Sequence, residues 1–290
     1  MPTRRPVVAG QFYPGGRDEC LTEVRACLES RELPGSLPPS IVAGIVPHAG
    51  WTFSGSLAAM VFRAIQDCGQ AVETFVLCGT AHGYFGRQPA DDGSDEWECP
   101  LGAVAVDGAL RDDLVERGVV GIDPAAHRHE HSIEVQIPFI VHLFPRARIL
   151  PLTVPPTQGS LALGEALADV AARTGRSIIC VASTDLTHYG PRYGFTPMGA
   201  GSAGLCWARE VNDRAFIDLA LALDAERLLA GAIENGNACG PGGAAAVTAV
   251  ARRLGVERGV LLAHTDSNEV MRRRMGMTGS DAVGYAAIVF

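Results

Sequence analysis

Three histidines, an aspartate and a cysteine occupy places where a fold could make use of their chemistry. His48 follows an apolar run in "GIVPHAGWTFSG", and His82 follows another in "TFVLCGTAHGY". Asp185 and His188 follow a third in "SIICVASTDLTHYG", and Cys239 lies in the tight loop "NGNACGPGG". Two neutral imidazoles plus one anionic ligand suit a non-haem Fe(II) site with positions open to substrate and dioxygen. The third ligand here is a thiolate, from Cys239, or a nearby carboxylate; a thiolate is the softer donor and widens the choice to Cu or Zn. The remaining imidazole, His188, is a side chain of the type best suited to proton transfer, with Asp185 as the group that orients it. A metal-free alternative makes Cys239 a nucleophile and His188 its base.

A second cluster, "HRHEHSIEVQIPF", holds His127, His129, His131, Glu130 and Glu134. As a strand it would put three histidines on one face in a zinc-like array. The later apolar positions Ile133, Ile137, Ile140, Val141 and Phe144 instead run at helical spacing despite Pro138. The spacing therefore predicts a helix whose polar first turn, with His131 and Glu134, lines or braces the site. HExxH is absent. Arg272–Arg274 reads as a solvated face or as a clamp for an acidic ligand. The acidic stretch "PADDGSDEWECP" reads as a polar surface loop or a lid.

These residues need a scaffold that brings distant loops to one place. Strand-like runs bounded by turn signals occur at 41–46, 74–78, 148–154, 177–182, 259–264 and 282–289. Most are continuously apolar, as strands covered on both faces are. Helical patterns lie between them, at 57–68, at 160–174 from a Ser160 cap, after Asp224, and at 243–254. Strands alternating with helices predict an α/β fold: one domain over residues 1–290, a central mostly parallel sheet, helices on both faces. Ligands in such sheets collect beyond the carboxyl ends of the strands, where His48, His82, Asp185 and His188 fall.

The 290 residues carry a net charge of -8, which argues against a nucleic-acid groove or a polybasic membrane contact. No run approaches the ~20 apolar residues of a membrane span, and the start of the chain lacks a signal-peptide core. The eight cysteines form no CxxC pair and read as reduced thiols, so the expected location is cytoplasmic.

"VAGQFYPGG", "PHAGWTFSG", "GTAHGY", "EHSIEVQIPF", "STDLTHYG", "NACG" and "DAVGYAAIVF" stand in the order and spacing of the MEMO family, and the sequence resembles that family over nearly its whole length. Bacterial and archaeal members are often called AmmeMemoRadiSam system protein B. The resemblance implies a fold similar to class III extradiol dioxygenases, which open catechol rings with Fe(II) and dioxygen. It implies a pocket lined by His48, His82 and Cys239 as metal ligands, with Asp185 and His188 beside them. The dioxygenases carry a glutamate where this family has cysteine. By analogy, the resemblance implies a metal-dependent oxidoreductase acting on a small substrate, such as an aromatic diol, with dioxygen. The bacterial name implies a radical-SAM partner protein. Family members have also been discussed as signalling adaptors, so a non-catalytic metal- or peptide-binding module is the alternative. Trp51 stands where tyrosine is common and is expected to narrow the pocket or stack on a planar substrate, with His131, Glu134 and Tyr189 as further pocket residues.

Overall fold

The structure is a computed structural model that describes residues 2–290. The chain opens with β1 (Thr3–Arg4) and α1 (Arg17–Glu29), then alternates β2 (Ala43–Val46), α2 (Trp51–Asp67) and β3 (Thr74–Gly79). A less regular stretch comes next: β4 (Ala90–Asp91), β5 (Glu96–Cys99), β6 (Gly102–Ala105), α3 (Gly108–Glu116) and β7 (Gly121–Ile122). Alternation resumes with α4 (Ile137–Leu143), β8 (Arg148–Thr153), α5 (Gln158–Thr174), β9 (Ile178–Ser183) and the short β10 (His188–Tyr189). The last part holds α6 (Ser202–Trp207), α7 (Asp213–Leu221), α8 (Ala225–Asn235), α9 (Pro241–Arg253), β11 (Val260–Asp266), α10 (Ser267–Met275) and β12 (Ala282–Val289).

The main sheet runs β10-β12-β2-β9-β3-β8-β4-β7, with β11 on β12. Its centre, β2-β9-β3-β8, is parallel, while β12 runs antiparallel to β2, β10 and β11. The sheet is thus parallel at its heart and mixed at its margins. Every residue of β2, β3, β9 and β12 is buried, which is why these runs read as unbroken apolar sequence. Helices α5, α8 and α9 form one covering layer, with α9 against β9, β2 and β3. On the other face α2 packs on β2 and β12, with α1 and α4 against it. Among the described residues no helix is long and apolar enough to cross a membrane.

Several helix starts differ from the sequence expectation, α9 among them, which begins at Pro241 instead of residue 243. α5 begins earlier, with Thr157 rather than Ser160 capping it by accepting the Gly159 amide. α2 begins at Trp51, immediately after Gly50. The acidic stretch at 89–100 is not a loose lid. It contains β4 and β5, and β5 joins β1 and β6 in a separate three-stranded sheet. That sheet buries Trp97, and the Arg4 guanidinium lies 3.9 Å from its ring centre.

Register decides where the loops emerge. Val46 pairs with Ser183 and Cys78 with Ala182, so β2, β9 and β3 end side by side. The segments 47–48, 80–82 and 184–185 therefore leave the sheet at one point.

Candidate metal centre

His48 enters from the end of β2 and is 2% exposed. Asp185 Oδ1 accepts its backbone amide at 2.7 Å. Its Nδ1 lies 3.2 Å from Ser183 Oγ. The single Ser183 hydroxyl proton goes to the Ser132 carbonyl at 2.7 Å, so this oxygen accepts from the His48 ring. Hydrogen bonding thus puts a proton on Nδ1 and turns Nε2 inward.

His82 is handled the same way by a carboxylate. Its Nδ1 lies 3.1 and 3.2 Å from the two Glu130 oxygens, which leaves Nε2 for the Cys239 sulfur. Glu130 Oε1 also accepts the amides of His131 and Ser132, at 2.9 and 2.8 Å. Burial works against its charge, but the His82 ring and these donors prevail and hold its carboxyl down at about 2. The turn comes this close to β3 because residue 79 is glycine. A Cβ there would stand 2.6 Å from Ile133 Cγ1 and 2.8 Å from Ser132 Oγ.

His131 completes a cluster of three imidazoles whose ligand atoms lie within 4.8 Å of one another. Its ring stacks on His82 at 7° between planes and stands edge-on to His48, with centroids 5.0 and 5.3 Å away. Burial, together with the neighbouring His48 charge, pushes its pKa down to about 4, so it is neutral at working pH.

Cys239 Sγ lies 3.2 Å from His48 Nε2, and the Asp185 amide donates to that sulfur at 3.3 Å. Its loop is tied to the 184–186 segment: the Cys239 amide donates to Asp185 O and the Gly240 amide to Thr184 Oγ1. Gly240 has no room for a side chain, since a Cβ would collide with Thr80 Oγ1 and the Ser183 carbonyl. Burial disfavours the thiolate, yet the imidazoles of His48, His188 and His82 outweigh it and hold the thiol well below its usual range. Burial likewise opposes charge on His48 and His82, and the Cys239 sulfur reverses the outcome, raising them to about 9 and about 10 with help from Asp185 and Glu130 respectively.

These donors suit a transition-metal ion. Two ligands held by one ion at ~2.0–2.3 Å sit about 3–3.6 Å apart, and the sulfur and His48 Nε2 meet that separation. Two imidazoles whose other ring nitrogen is engaged by a hydroxyl or a carboxylate match the usual outer support of metal-binding histidines.

The sequence matches the family described as Memo-like protein over residues 4–289. The chain belongs to the Memo-like family. A MEMO1 family protein of Thermococcus onnurineus is 38% identical over 300 residues, 99% of each chain. One from Pyrococcus abyssi is 38% identical over 299 residues, covering 99% of this chain and 98% of the relative. The crystal structure of an uncharacterized Escherichia coli K12 protein shares the fold alone, with a TM-score of 0.51 at 15% identity over 86% of this chain and all of that one.

In this Memo-like chain the histidine cluster forms the wall of a cavity of about 490 Å³, with Phe12, Phe53, Met271 and Val283 on its apolar side. His188 lines it as well, and its buried Nε2 has no hydrogen-bond partner among the described residues. Asp185 lines the cavity but spends an oxygen on the His48 amide instead of hydrogen-bonding the His188 ring. Three expected pocket residues are turned elsewhere. Trp51 is buried between Tyr13 and Phe139, its Nε1 donating to the Val135 carbonyl at 3.0 Å. Glu134 forms a buried pair with Arg4 at 3.0 Å and accepts the amides of Val7 and Val8. The Tyr189 hydroxyl donates to the Gly199 carbonyl at 2.8 Å. The chain around 127–136 is a turn and one 3-10 segment, with the α-helix beginning only at Ile137.

Sequence reasoning missed the grip of Glu130 on His82 and the place of Phe12, whose ring lies 4.6 Å from that of His131. The signal for Phe12 was the turn-rich "VAGQFYPGG", whose residues Val8 and Tyr13 bind Glu134 and whose Phe12 carbonyl accepts the Trp51 amide.

Proposed function

We propose that this protein is a mononuclear metal-dependent redox enzyme of the class III extradiol-dioxygenase type, acting in the cytoplasm on a small aromatic diol with dioxygen. His48, His82 and Cys239 would hold the ion, most naturally Fe(II), with Cu or Zn as the alternatives that a thiolate admits. The observation that carries this reading is the cluster of three imidazoles with the Cys239 sulfur 3.2 Å from His48, set in the wall of a cavity. A bound ion supplies redox and Lewis-acid chemistry to a chelating substrate.

The chain's own residues do the remaining work. Phe12, Phe53, Met271 and Val283 offer a planar ring an apolar berth and exclude water from it. His188 Nε2, which has no hydrogen-bond partner among the described residues, takes or returns a substrate hydroxyl proton. Asp185 fixes the His48 backbone, and Glu130 and Ser183 fix the two ring orientations. His131, held neutral, closes the imidazole wall.

The test is protein purified without oxygen, analysed for metal and then offered oxygen with a panel of catechols. About one ion per chain and oxygen uptake with at least one diol are expected. His188→Gln should keep the ion and lose the uptake. A chain with one ion but no uptake from any diol would be a metal-binding module instead. A chain without metal, indifferent to His48→Ala, would overturn the metal reading altogether.

A further inference from the structure

We infer that the groove between the end of α1, α2, β11 and the last turn of α10 is an oxyanion site that takes a phosphate-bearing ligand. The inference is independent of the metal reading. A cavity of about 420 Å³ is lined there by Arg31, Arg273 and Arg274, together with Ser30, Ser56 and Glu32. In a chain of net charge -8, three guanidiniums facing one hollow is a local reversal of sign.

The counter-charges present do not account for it. Arg31 is half-buried, and its Nε donates to Ser56 Oγ at 3.1 Å, which leaves both terminal nitrogens for something else. Among the described residues neither Arg31 nor Arg274 forms an ion pair, Glu32 included. Arg273 has Glu269 at 2.6 Å, but Arg272 uses the other oxygen of the same carboxylate at 2.6 Å. Burial, and then the charges of Arg273 and Arg274, push the Arg31 guanidinium below its ordinary value, so the arrangement is repulsive while empty of anion.

A phosphoryl group answers each of these features. Guanidinium forks bind phosphate oxygens in pairs, and one anion between Arg31 and Arg274 offsets the repulsion of both. Ser56 Oγ accepts from Arg31 and keeps its own proton to donate. The hollow is larger than a single phosphate, which leaves space for a second phosphoryl group or an attached organic part.

The test is calorimetric titration of the full chain with inorganic phosphate, pyrophosphate and adenosine triphosphate at constant ionic strength, with chloride as the control. Saturable one-site binding is expected. Arg31→Gln and Arg274→Gln should each weaken it at least tenfold, while Arg227→Gln, at an exposed side chain on α8, leaves it within twofold. Pyrophosphate binding as tightly as the nucleotide identifies a phosphate chain as sufficient; a tenfold preference for the nucleotide identifies an attached base and sugar as part of the ligand. Arg274 is exposed, so its variant folds and decides the matter even where Arg31→Gln does not. Non-saturable binding, binding unchanged in Arg274→Gln, or binding lost in His48→Ala but kept in the arginine variants would overturn the inference.

Discussion

The sulfur of Cys239 lies 3.2 Å from Nε2 of His48, although 191 residues separate them in sequence. In the metal-free protein His48, His188 and His82 outweigh the burial that disfavours the ionised sulfur, and they hold the Cys239 thiol well below its usual range. The lowered thiol keeps its reactive form as pH falls, whereas an ordinary thiol with pKa ~8.5 loses about 75-fold in thiolate between pH 8 and pH 6. Alkylation of Cys239 in metal-free protein, followed by peptide mass spectrometry, should therefore change less than about threefold over that range. Adding Fe(II) should slow it at both pH values. A rate at Cys239 that tracks the ordinary-thiol curve would contradict the arrangement.

Glu130 accepts from the His82 ring and from three backbone amides, those of His82, His131 and Ser132, with the same carboxylate, so its charge holds both the ring and the turn. Glu130→Gln keeps the size but must present one amide nitrogen where an acceptor is needed. Loss of such outer support commonly costs 10–100-fold in metal affinity. Competition against a chromophoric chelator should show a loss in that range with the circular dichroism spectrum unchanged. Equal affinity in the variant would show that His82 needs no carboxylate to hold its ring.

Much of the fold was legible because β2, β3, β8, β9 and β12 lie in apolar runs bounded by turns, and burial on both faces leaves that mark in sequence. The sheet of β1, β5 and β6 was not legible. Its strands are two to four residues long, and it is held by Arg4 packing on Trp97 and pairing with Glu134, contacts between residues 93 or more positions apart. At the site, His48, His82 and Cys239 stood out because each follows a strand or precedes a helix. His131 and Glu130 were visible as a histidine-rich cluster, but their helical-looking spacing belongs to α4, which starts only at Ile137. Trp51 and Tyr189 misled because an aromatic next to a reactive motif is equally suited to fill the core behind it.

Arg4 and Glu134 are both buried, and their pair sits behind the turn that carries Glu130 and His131. Arg4 also donates to the backbone carbonyls of His127 and Glu130. Removing one partner of a buried pair leaves the other charge uncompensated, at a typical cost of about 3–5 kcal/mol. Arg4→Ala should lower stability by that order in urea unfolding, and should weaken metal binding in whatever fraction stays folded. A change below about 1 kcal/mol would show that the turn is held by its own hydrogen bonds.

Asp185 separates a positioning role from a proton-relay role. Its Oδ1 accepts the His48 amide at 2.7 Å, and burial raises its pKa despite the opposing pull of His48. Asp185→Asn retains an acceptor for that amide while removing the charge, so metal affinity should fall no more than about threefold. Asp185→Ala strands a buried donor, which costs about 1–3 kcal/mol, and should loosen the ion together with the fold. Were Asp185 instead the group that orients His188, the asparagine variant would keep its metal yet lose oxygen uptake as completely as His188→Gln. Parallel metal competition and oxygen-electrode measurements on the two Asp185 variants distinguish the outcomes, because only the positioning role predicts that asparagine preserves both readouts and alanine preserves neither.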